Sequence, residues 1–374
     1  MRLRTCRVPK SGSRLSLGSI NVSVNHTILR IAVIGFGNVG QEFARLLLAK
    51  RDWLVRKKGL DAEILVIATK TKGSLMSKRA LDLDKCLRLV KESGSLTGYG
   101  PETTDLSPTE IISQCDADLM IELSPLNIDN GKPAIDHIKA ALENGMDVIT
   151  ANKGPIAFAY AELINLARSK GVHLRFEGTV MDGTPIFNLV EKTLPGCEVL
   201  GLSGILNSTS NFVLSEMASG RTMDDAIKLA QKRGFAEADP SLDIDGWDAA
   251  AKITALANVL MDARTNPKQV DRQGIGGINQ ADIEKAARQK KKVKLIASAV
   301  RIGESVSLKV RPEVIGADNP FWSVDGTSSA LTIKTDLMGD ITIVENDPMV
   351  TQTAYAVFSD LLLVLESIRT GSIC

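Results

Sequence analysis

Runs of apolar residues alternate with amphipathic stretches through the first half of the chain. The run at residues 28–34 ends in glycines and passes into a stretch whose apolar positions recur at helical spacing. Similar apolar runs, each of which predicts a buried strand, lie at residues 62–70, 117–124 and 146–155. Because strands that alternate with helices form parallel sheets, this half predicts an α/β domain whose sheet is covered by helices on both faces.

A different pattern begins after Gly183. Residues 199–217 read as a strand followed by a helix, and residues 222–234 carry the apolar spacing of an amphipathic helix. Residues 291–302 and 305–315 alternate between apolar and polar side chains, which is typical of antiparallel strands. The second half therefore predicts an α+β domain.

A glycine pattern, GxGxxG, stands between the first predicted strand and the first helix. Gly35 permits the tight turn, Gly37 lets the backbone approach a pyrophosphate, and Gly40 lets the helix pack on the strand. The helix N-terminus that follows attracts phosphate groups. We therefore predict a dinucleotide site on the loop of Gly35, Phe36, Gly37, Asn38, Val39 and Gly40. Glycines in such a turn can also serve the chain conformation alone.

This loop identifies the first half as a Rossmann-type dinucleotide-binding domain. We place it at residues 28–182, because the pattern changes near residue 182. The second domain then occupies residues 183–349.

The residues at the end of the second predicted strand indicate whether NAD or NADP is bound. An acidic residue there selects NAD, whereas basic or small residues admit the 2′-phosphate of NADP. This strand ends in Thr69, Lys70 and Lys72, and residues 68–73 contain no acid. Thr69 and Lys70 are thus predicted cofactor contacts and NADP is favoured over NAD. The alternative is that these lysines are ordinary exposed residues of a loop and do not contact the cofactor.

Lys153 follows directly on the last strand of the predicted parallel sheet. Ligands of open α/β sheets bind beyond the carboxyl ends of the strands. A lysine at this position can therefore approach both cofactor and substrate, although an ordinary loop lysine would occupy the same place.

Lys252 is the only charged residue of the helical stretch at residues 249–261, which is apolar on every side and so predicts a buried helix. A buried ammonium group is costly unless it is paired, and burial shifts its pKa downward, toward the range that suits proton transfer. Asp248 lies four residues earlier on the same helical face and is the predicted partner. The alternative, a simple surface pair, leaves the lack of other charges unexplained.

Four further carboxylates precede this helix. Glu237, Asp239 and Asp243 lie on a predicted loop, and Asp245 stands where a helix N-cap is common. Such a cluster beside a buried helix suits a cationic ligand, for instance an amino-acid ammonium group. A metal is the alternative, but the chain has three histidines and none lies near this segment, which argues against zinc or iron.

Composition limits the partners of the protein. The 374 residues are 44% hydrophobic and 24% charged, with a formal net charge of +1. A net charge this close to zero produces no overall electrostatic field that would attract nucleic acid or a membrane surface. A small-molecule partner is therefore expected. The apolar runs fall well short of the roughly 20 residues of a membrane-spanning helix. The five cysteines are scattered without metal-ligand spacing, and as reduced thiols they predict a cytoplasmic location.

Residues 1–27 differ in composition from the rest of the chain. They contain five basic residues, five serines and no acid, and the first carboxylate is that of Glu42. This composition fits a disordered tail, a start site assigned too early or a transit peptide, and the segment is left out of the predicted fold.

Residues 230–252 carry a motif that resembles the signature of the homoserine dehydrogenase family. The motif has the form A-x3-G-aromatic-small-x2-D-P-x2-D-aliphatic-x-G-x-D-x3-K. It stands unbroken as Ala230, Gly234, Phe235, Ala236, Asp239, Pro240, Asp243, Ile244, Gly246, Asp248 and Lys252. The blocks "AALENGMDVITANKGP", "FEGTVMDGTPI" and "GILNSTSNFVL" are also similar, so that the resemblance covers essentially all of residues 28–370.

The resemblance implies roles for the charged residues already singled out. Lys252 corresponds to a general acid/base, and Lys153 to a second active-site lysine that touches the nicotinamide end of the cofactor. Glu237, Asp243 and Asp248 correspond to acids that hold the substrate or orient the lysine.

Further positions carry roles by resemblance alone. Thr209 corresponds to a threonine that contacts the substrate, and Ser124 to a position that lines the cofactor. A monovalent-cation site, for instance for Na⁺, is implied at Glu177, Val180, Asp182 and Thr184. Asp182 stands at a usually small position, which a site built largely from backbone carbonyls tolerates.

One segment departs from the family pattern. The family carries a glycine-rich loop before its last helix, whereas residues 345–349 of this chain read "ENDPM", so cofactor contacts from this loop are not assured. The resemblance implies that residues 350–374 form a helix that returns to the nucleotide-binding domain. It also implies a homodimer built through the second, catalytic domain. The chain leaves no room for a regulatory or kinase module, so feedback through one is not expected.

The implied reaction is the interconversion of L-homoserine and L-aspartate 4-semialdehyde with NADP or NAD, in threonine, methionine and isoleucine biosynthesis. One alternative is another amino-acid dehydrogenase. A second is a semialdehyde dehydrogenase, for which Cys197 lacks a histidine in its sequence context. A third is a cofactor-binding sensor that has kept the fold.

Overall fold

The computed structural model describes residues 27–370, and its first half forms a seven-stranded sheet. The strands are β1 (Thr27–Ile34), β2 (Leu60–Ala68), β3 (Ser74–Met76), β4 (Thr103–Thr104), β5 (Leu119–Glu122), β6 (Asp147–Thr150) and β7 (Leu174–Arg175). Their spatial order is β4-β3-β2-β1-β5-β6-β7. Apart from Thr27, the expectation for residues 1–27 lies outside the described residues, as do residues 371–374.

Five neighbouring strands, from β2 through β1, β5 and β6 to β7, run parallel as predicted. The two outer strands β3 and β4 pair antiparallel, which the prediction of a purely parallel sheet did not include. These strands are three and two residues long, too short to leave a recognisable alternation in the sequence.

Helices cover both faces of this sheet. They are α1 (Asn38–Trp53), α2 (Leu83–Ser93), α3 (Pro108–Gln114), α4 (Ala134–Glu143) and α5 (Lys153–Lys170). Side chains of β1 alternate between the two faces: Val33 packs in one cluster with Phe43 of α1, whereas Ile34 packs in another with Ile138 of α4. The near-continuous apolar run of β1 follows from this double burial.

The second half forms a six-stranded sheet. Its strands are β8 (Val199–Ile205), β9 (Asp271–Arg272), β10 (Lys292–Ile302), β11 (Ser305–Ile315), β12 (Ser329–Thr335) and β13 (Gly339–Glu345), in the spatial order β13-β12-β8-β10-β11-β9. The predicted antiparallel pairing of β10 with β11 is confirmed over the full length of both strands. Only the two-residue strand β9 runs parallel to its neighbour among the described strands of this sheet.

The helices of the second half are α6 (Phe187–Thr193), α7 (Ser208–Ala218), α8 (Met223–Lys232), α9 (Ser241–Ile244), α10 (Trp247–Leu260) and α11 (Gln280–Arg288). Helix α10 is the predicted buried helix, because every residue from position 248 to position 258 is buried except Lys252. It packs against α5 of the first half and against β10 and β11 of the second sheet. Helix α10 therefore links the two halves of the molecule.

The last helix, α12 (Val350–Thr370), lies against α1. Its apolar face shares a core with the first sheet, since Phe358 and Leu361 belong to the same cluster as Phe43. The architecture is thus the predicted α/β fold with a nucleotide-binding type of sheet and a second, mainly antiparallel sheet. Within the described part of the chain, no helix has both the length and the apolar character that a membrane crossing requires.

The tight turn after β1 provides a test of this packing. Gly35 has a φ of 104°, and a Cβ atom on it would lie 2.5 Å from the backbone carbonyl carbon of Leu123. Gly35→Ala is therefore expected to destabilise the fold by about 2 kcal/mol or more. Thermal unfolding followed by circular dichroism measures the loss.

Gly37→Ala is the matched control, because a Cβ atom on Gly37 meets no other atom within 4 Å. Its unfolding free energy should stay within about 1 kcal/mol of the wild type, the range for an N-cap change. Equal stability of the Gly35→Ala variant and the wild type would contradict the packing described for this turn.

Candidate active site

The first candidate residues follow strand β6 at the carboxyl edge of the parallel sheet. β6 ends at Thr150, and Asn152 then caps α5 by accepting a hydrogen bond from the Gly154 amide at 2.9 Å. Lys153 is therefore the first residue of a helix just beyond the carboxyl end of a strand, as predicted. Its side chain is 21% exposed and points toward α10.

One carboxylate holds both candidate lysines. Oδ1 of Asp248 lies 2.7 Å from Nζ of Lys153, and Oδ2 lies 3.2 Å from Nζ of Lys252. Lys252 also donates a hydrogen bond of 2.9 Å to the backbone carbonyl of Leu206. The pair of Asp248 with Lys252 was predicted from helical spacing, whereas its pair with Lys153, which is 95 residues away in the chain, was not.

The predicted downward shift of the Lys252 pKa is wrong. Burial does lower the pKa of this ammonium group, but the negative charges of Asp248, Asp182 and Asp243 outweigh burial and raise it above its ordinary value. Lys252 is consequently protonated at neutral pH in the resting site, which makes it a proton donor there.

Asp248 shows the complementary effect. Burial favours its neutral form, yet the ammonium groups of Lys153 and Lys252 hold the pKa of this carboxyl well below its usual range. The carboxylate thus stays ionised, and the two lysines are fixed around one negative charge in a largely buried position.

Asn207 was not predicted as a site residue. Its Nδ2 donates hydrogen bonds to Oδ1 of Asp243 at 2.6 Å and to Oδ2 of Asp248 at 2.9 Å. Its Oδ1 accepts a hydrogen bond from the Ser210 amide and thereby caps α7. One amide group thus separates two carboxylates that would otherwise repel each other. The sequence signal was an N-cap residue, which indicates a helix start but not a link to residues 36 and 41 positions away.

Lys153, Lys252, Asp248 and Asn207 form an ion-pair network, and Asp243 lies next to Asp248 within it. Burial, followed by repulsion from Asp248, raises the pKa of the Asp243 carboxyl, while the hydrogen bond from Asn207 and the nearby Thr209 hydroxyl oppose the rise. Asp243 and Thr209 therefore both lie at the network, and their contacts with the substrate stay a prediction.

Glu237 is not brought into the ion-pair network. It is exposed on the loop between α8 and α9, and only its backbone carbonyl takes part, as the acceptor of a hydrogen bond from Gln231. The same loop is tied to α7 through Thr209, whose hydroxyl donates to the Phe235 carbonyl at 3.1 Å. Asp239 accepts a hydrogen bond from the Ser241 amide, which gives this acid a local role at the start of α9.

The prediction that Asp245 caps the buried helix is also wrong. Gly246 is the N-cap of α10, with a φ of 79°, and no side chain caps this helix end. Asp245 instead ends α9 and is exposed. The left-handed glycine between the two short elements takes the position that the acid was expected to occupy.

The glycine loop has the features expected of a phosphate site. Gly37 is the N-cap of α1, the first turn of α1 contains no acid, and the space beside Gly37 is open. Asn38 and Val39 begin the helix, whereas the side chain of Phe36 is buried in the core at 1% exposure. The loop therefore offers its backbone amides, not the Phe36 side chain, to a ligand.

The other predicted cofactor positions lie at neighbouring strand ends. The Thr69 hydroxyl is bound within its own turn, where it donates to the Gly73 carbonyl and accepts from the Lys72 amide, each at 2.8 Å. Lys70 is exposed on the same turn. Ser124 follows β5, and its hydroxyl donates to the buried carboxylate of Glu122.

The segment at residues 177–184, for which a cation site is implied, approaches the ion-pair network through Asp182. Asp182 has a φ of 52° and accepts a hydrogen bond from the Thr353 hydroxyl at 3.0 Å. The carboxylate of Glu177 accepts hydrogen bonds from three backbone amides at the start of α6, those of Ile186, Phe187 and Asn188. The Glu177 side chain is thus already bound, so only main-chain atoms of this residue remain for a cation. Among the described residues, no group of three or more His, Cys, Asp or Glu side chains is arranged for a metal ion.

Glu345 is a second residue that was not predicted as part of the site. It ends β13 within the segment that replaces the glycine-rich loop, and it is 9% exposed. Burial, followed by repulsion from Asp182, raises the pKa of its carboxyl to about 7, although the charge of Lys252 opposes the rise. The replaced segment therefore adds an acid near the lysine.

Two family models match the chain in consecutive segments. The model described as "Homoserine dehydrogenase, NAD binding domain" matches residues 35–177, and the model described as "Homoserine dehydrogenase" matches residues 185–362. Together they cover the first sheet except β1, the whole second sheet and most of α12.

Relatives of similar length match over nearly the whole described chain. An NAD(+)-dependent homoserine dehydrogenase of Pseudomonas canavaninivorans is 36% identical over 91% of this chain and 97% of its own length. A homoserine dehydrogenase of Methanocaldococcus jannaschii is 35% identical over 91% of this chain and 99% of its own length.

Solved structures of the same kind superpose on the fold. A hyperthermophilic archaeal homoserine dehydrogenase in complex with NADPH gives a TM-score of 0.78 at 29% identity, covering 91% of this chain and 98% of its own. A homoserine dehydrogenase from Thiobacillus denitrificans also gives 0.78, at 28% identity over 92% of this chain and 75% of its own.

Proposed function

The chain belongs to the homoserine dehydrogenase family and is an NAD(P)-dependent oxidoreductase, and from this premise we propose how its own residues carry out the reaction. The reaction interconverts L-homoserine and L-aspartate 4-semialdehyde. The bound nicotinamide supplies or accepts the hydride. The observation that carries the proposal is the Asp248 carboxylate, which places two ammonium groups at the carboxyl edge of the parallel sheet.

Lys252 is the general acid/base of the proposal. It donates a proton to the aldehyde oxygen during reduction and takes the hydroxyl proton during oxidation. Its raised pKa keeps the resting site in the protonated form, which is the form that donates a proton to the aldehyde oxygen. Lys153 adds a second positive charge near the developing alkoxide, and Asp248 keeps both ammonium groups in place.

The ammonium group of the substrate is bound by acids. Asp243 is the better supported of the two candidates, because it is half-buried and lies beside Asp248 and Thr209. Glu237, which is exposed, contributes through the loop that Thr209 ties to α7. Without substrate, the three carboxylates of Asp182, Asp243 and Asp248 face two ammonium groups, and this excess of negative charge suits a cationic amino acid.

The preferred cofactor of the proposal is NADP. The GxGxxG loop and Ser124 line the dinucleotide, and Lys70 and Lys72, which stand at the end of β2 without a neighbouring acid, meet the 2′-phosphate. The archaeal structure with NADPH supports this choice, whereas the Pseudomonas relative is NAD(+)-dependent.

Several features complete the proposal. A monovalent cation is held by main-chain carbonyls at Glu177, Val180, Asp182 and Thr184. The domains are residues 28–182 for dinucleotide binding and 183–349 for catalysis and dimerisation, with residues 350–374 returning to the first domain. The protein is a cytoplasmic homodimer that acts in threonine, methionine and isoleucine biosynthesis.

Lys252→Ala tests the acid/base assignment. Loss of the group that accepts the hydroxyl proton should lower kcat for L-homoserine oxidation by about 100-fold or more, since that is the scale of general acid/base catalysis. NADPH formation at 340 nm measures the rate. The control is Lys91→Ala, which removes an exposed lysine of α2 and should leave kcat within about twofold. Near-normal turnover by the Lys252→Ala variant would refute the assignment.

Replacement of both Lys70 and Lys72 by alanine tests the cofactor preference. The loss of two positive charges should lower kcat/KM for NADP about tenfold while changing that for NAD less than about threefold. Steady-state rates with each cofactor give the ratio, and Lys78→Ala, an exposed lysine beyond β3, is the control. An equal loss of kcat/KM with both cofactors would show that these lysines do not bind the 2′-phosphate.

A further inference from the structure

A cavity of about 360 Å³ lies apart from the active-site network. It is enclosed by α5, β7, α6, the end of α10 and α12, and neither lysine of the network lines it. The volume falls in the range of small-molecule sites. Its lining combines aromatic rings with a few buried charged groups, which is the composition of a ligand site.

The aromatic wall consists of three rings in contact. The ring of Phe176 stands edge-on to Tyr160, with centroids 5.6 Å apart, and edge-on to Phe187, at 4.9 Å. All three residues line the cavity. Aromatic faces attract organic cations as well as apolar groups.

The charged residues of the lining leave one carboxylate oxygen unsatisfied. Arg175 is paired with Glu191 at 2.8 Å. Asp360, which is 1% exposed, accepts a hydrogen bond from the Glu177 amide through Oδ2 at 2.9 Å. Its Oδ1 is buried and has no hydrogen-bond partner within the described structure. A buried polar atom without a partner is costly, and a donor in the cavity would remove that cost.

From the aromatic wall and this unsatisfied oxygen, we propose that the cavity binds a small primary ammonium compound with a short apolar body. The ammonium group donates to Oδ1 of Asp360, and the apolar body packs on Phe176, Phe187 and Tyr160. Free alkylamines and apolar amino acids both carry this chemistry. The site is separate from the one that binds the ammonium group of homoserine.

Isoamylamine hydrochloride is the probe for binding. At about 10 mM it should raise the melting temperature of the full chain by about 2 °C, as expected for a ligand that binds only the folded state. Isoamyl alcohol and sodium isovalerate have the same apolar body without the ammonium group and should give no shift. L-Leucine distinguishes an amino-acid ligand from a free amine, since it shifts the melting temperature only if its carboxylate is accommodated.

Three variants locate the site. Val190→Phe fills the cavity and Asp360→Asn removes the charge while keeping an acceptor for the Glu177 amide, so both should abolish the isoamylamine shift. Asp243→Asn alters the homoserine site and should keep the shift. Homoserine oxidation by the Val190→Phe variant should stay within about twofold, which also shows that this variant is folded.

The proposal falls if isoamylamine gives no shift, if the alcohol gives an equal shift, if the shift survives Val190→Phe or Asp360→Asn, or if it disappears in Asp243→Asn. In the last case the amine sits in the homoserine site. Because binding is measured without cofactor or substrate, failure of this proposal is distinguishable from failure of the catalytic one.

Discussion

The shared carboxylate of Asp248 is the interaction on which the rest of the site depends. It joins Lys153, which is placed by a strand end of the first sheet, to Lys252, which is placed by the buried helix of the second half. A buried ion pair is stable only when its members satisfy each other, and here one carboxylate satisfies two ammonium groups with Asn207 as a further donor. The packing of α10 against α5 brings these groups together.

The balance of charge explains the protonation states of the network. Burial alone would make Lys252 a weak base and Asp248 a weak acid, but each group faces opposite charges at short range. Both therefore stay ionised at neutral pH. Burial, together with repulsion from neighbouring carboxylates, instead raises the pKa values of the Asp243 and Glu345 carboxyls. The site thus combines a fixed ion pair with acids that a cationic substrate can stabilise.

The sequence predicted those parts of the site that depend on local spacing. The glycine loop, the position of Lys153 after a strand, and the pair of Asp248 with Lys252 all follow from short-range pattern. Asn207 and Glu345 escaped prediction because their roles depend on contacts between distant segments. The pKa of Lys252 was predicted in the wrong direction because burial was considered without the carboxylates that tertiary structure adds. The edge strands β3 and β4 were missed because they are too short to show a period.

Asp248 is the first of the negative charges that raise the pKa of Lys252 against burial. Carbon-13 NMR titration of Cε in selectively labelled lysine, assigned with Lys252→Arg, measures the pKa of Lys252 in the wild type and in the Asp248→Asn variant. The account predicts a pKa above that of free lysine in the wild type and a lower value in the variant, because burial remains when the main counter-charge is lost. An unchanged pKa in the Asp248→Asn variant would contradict it.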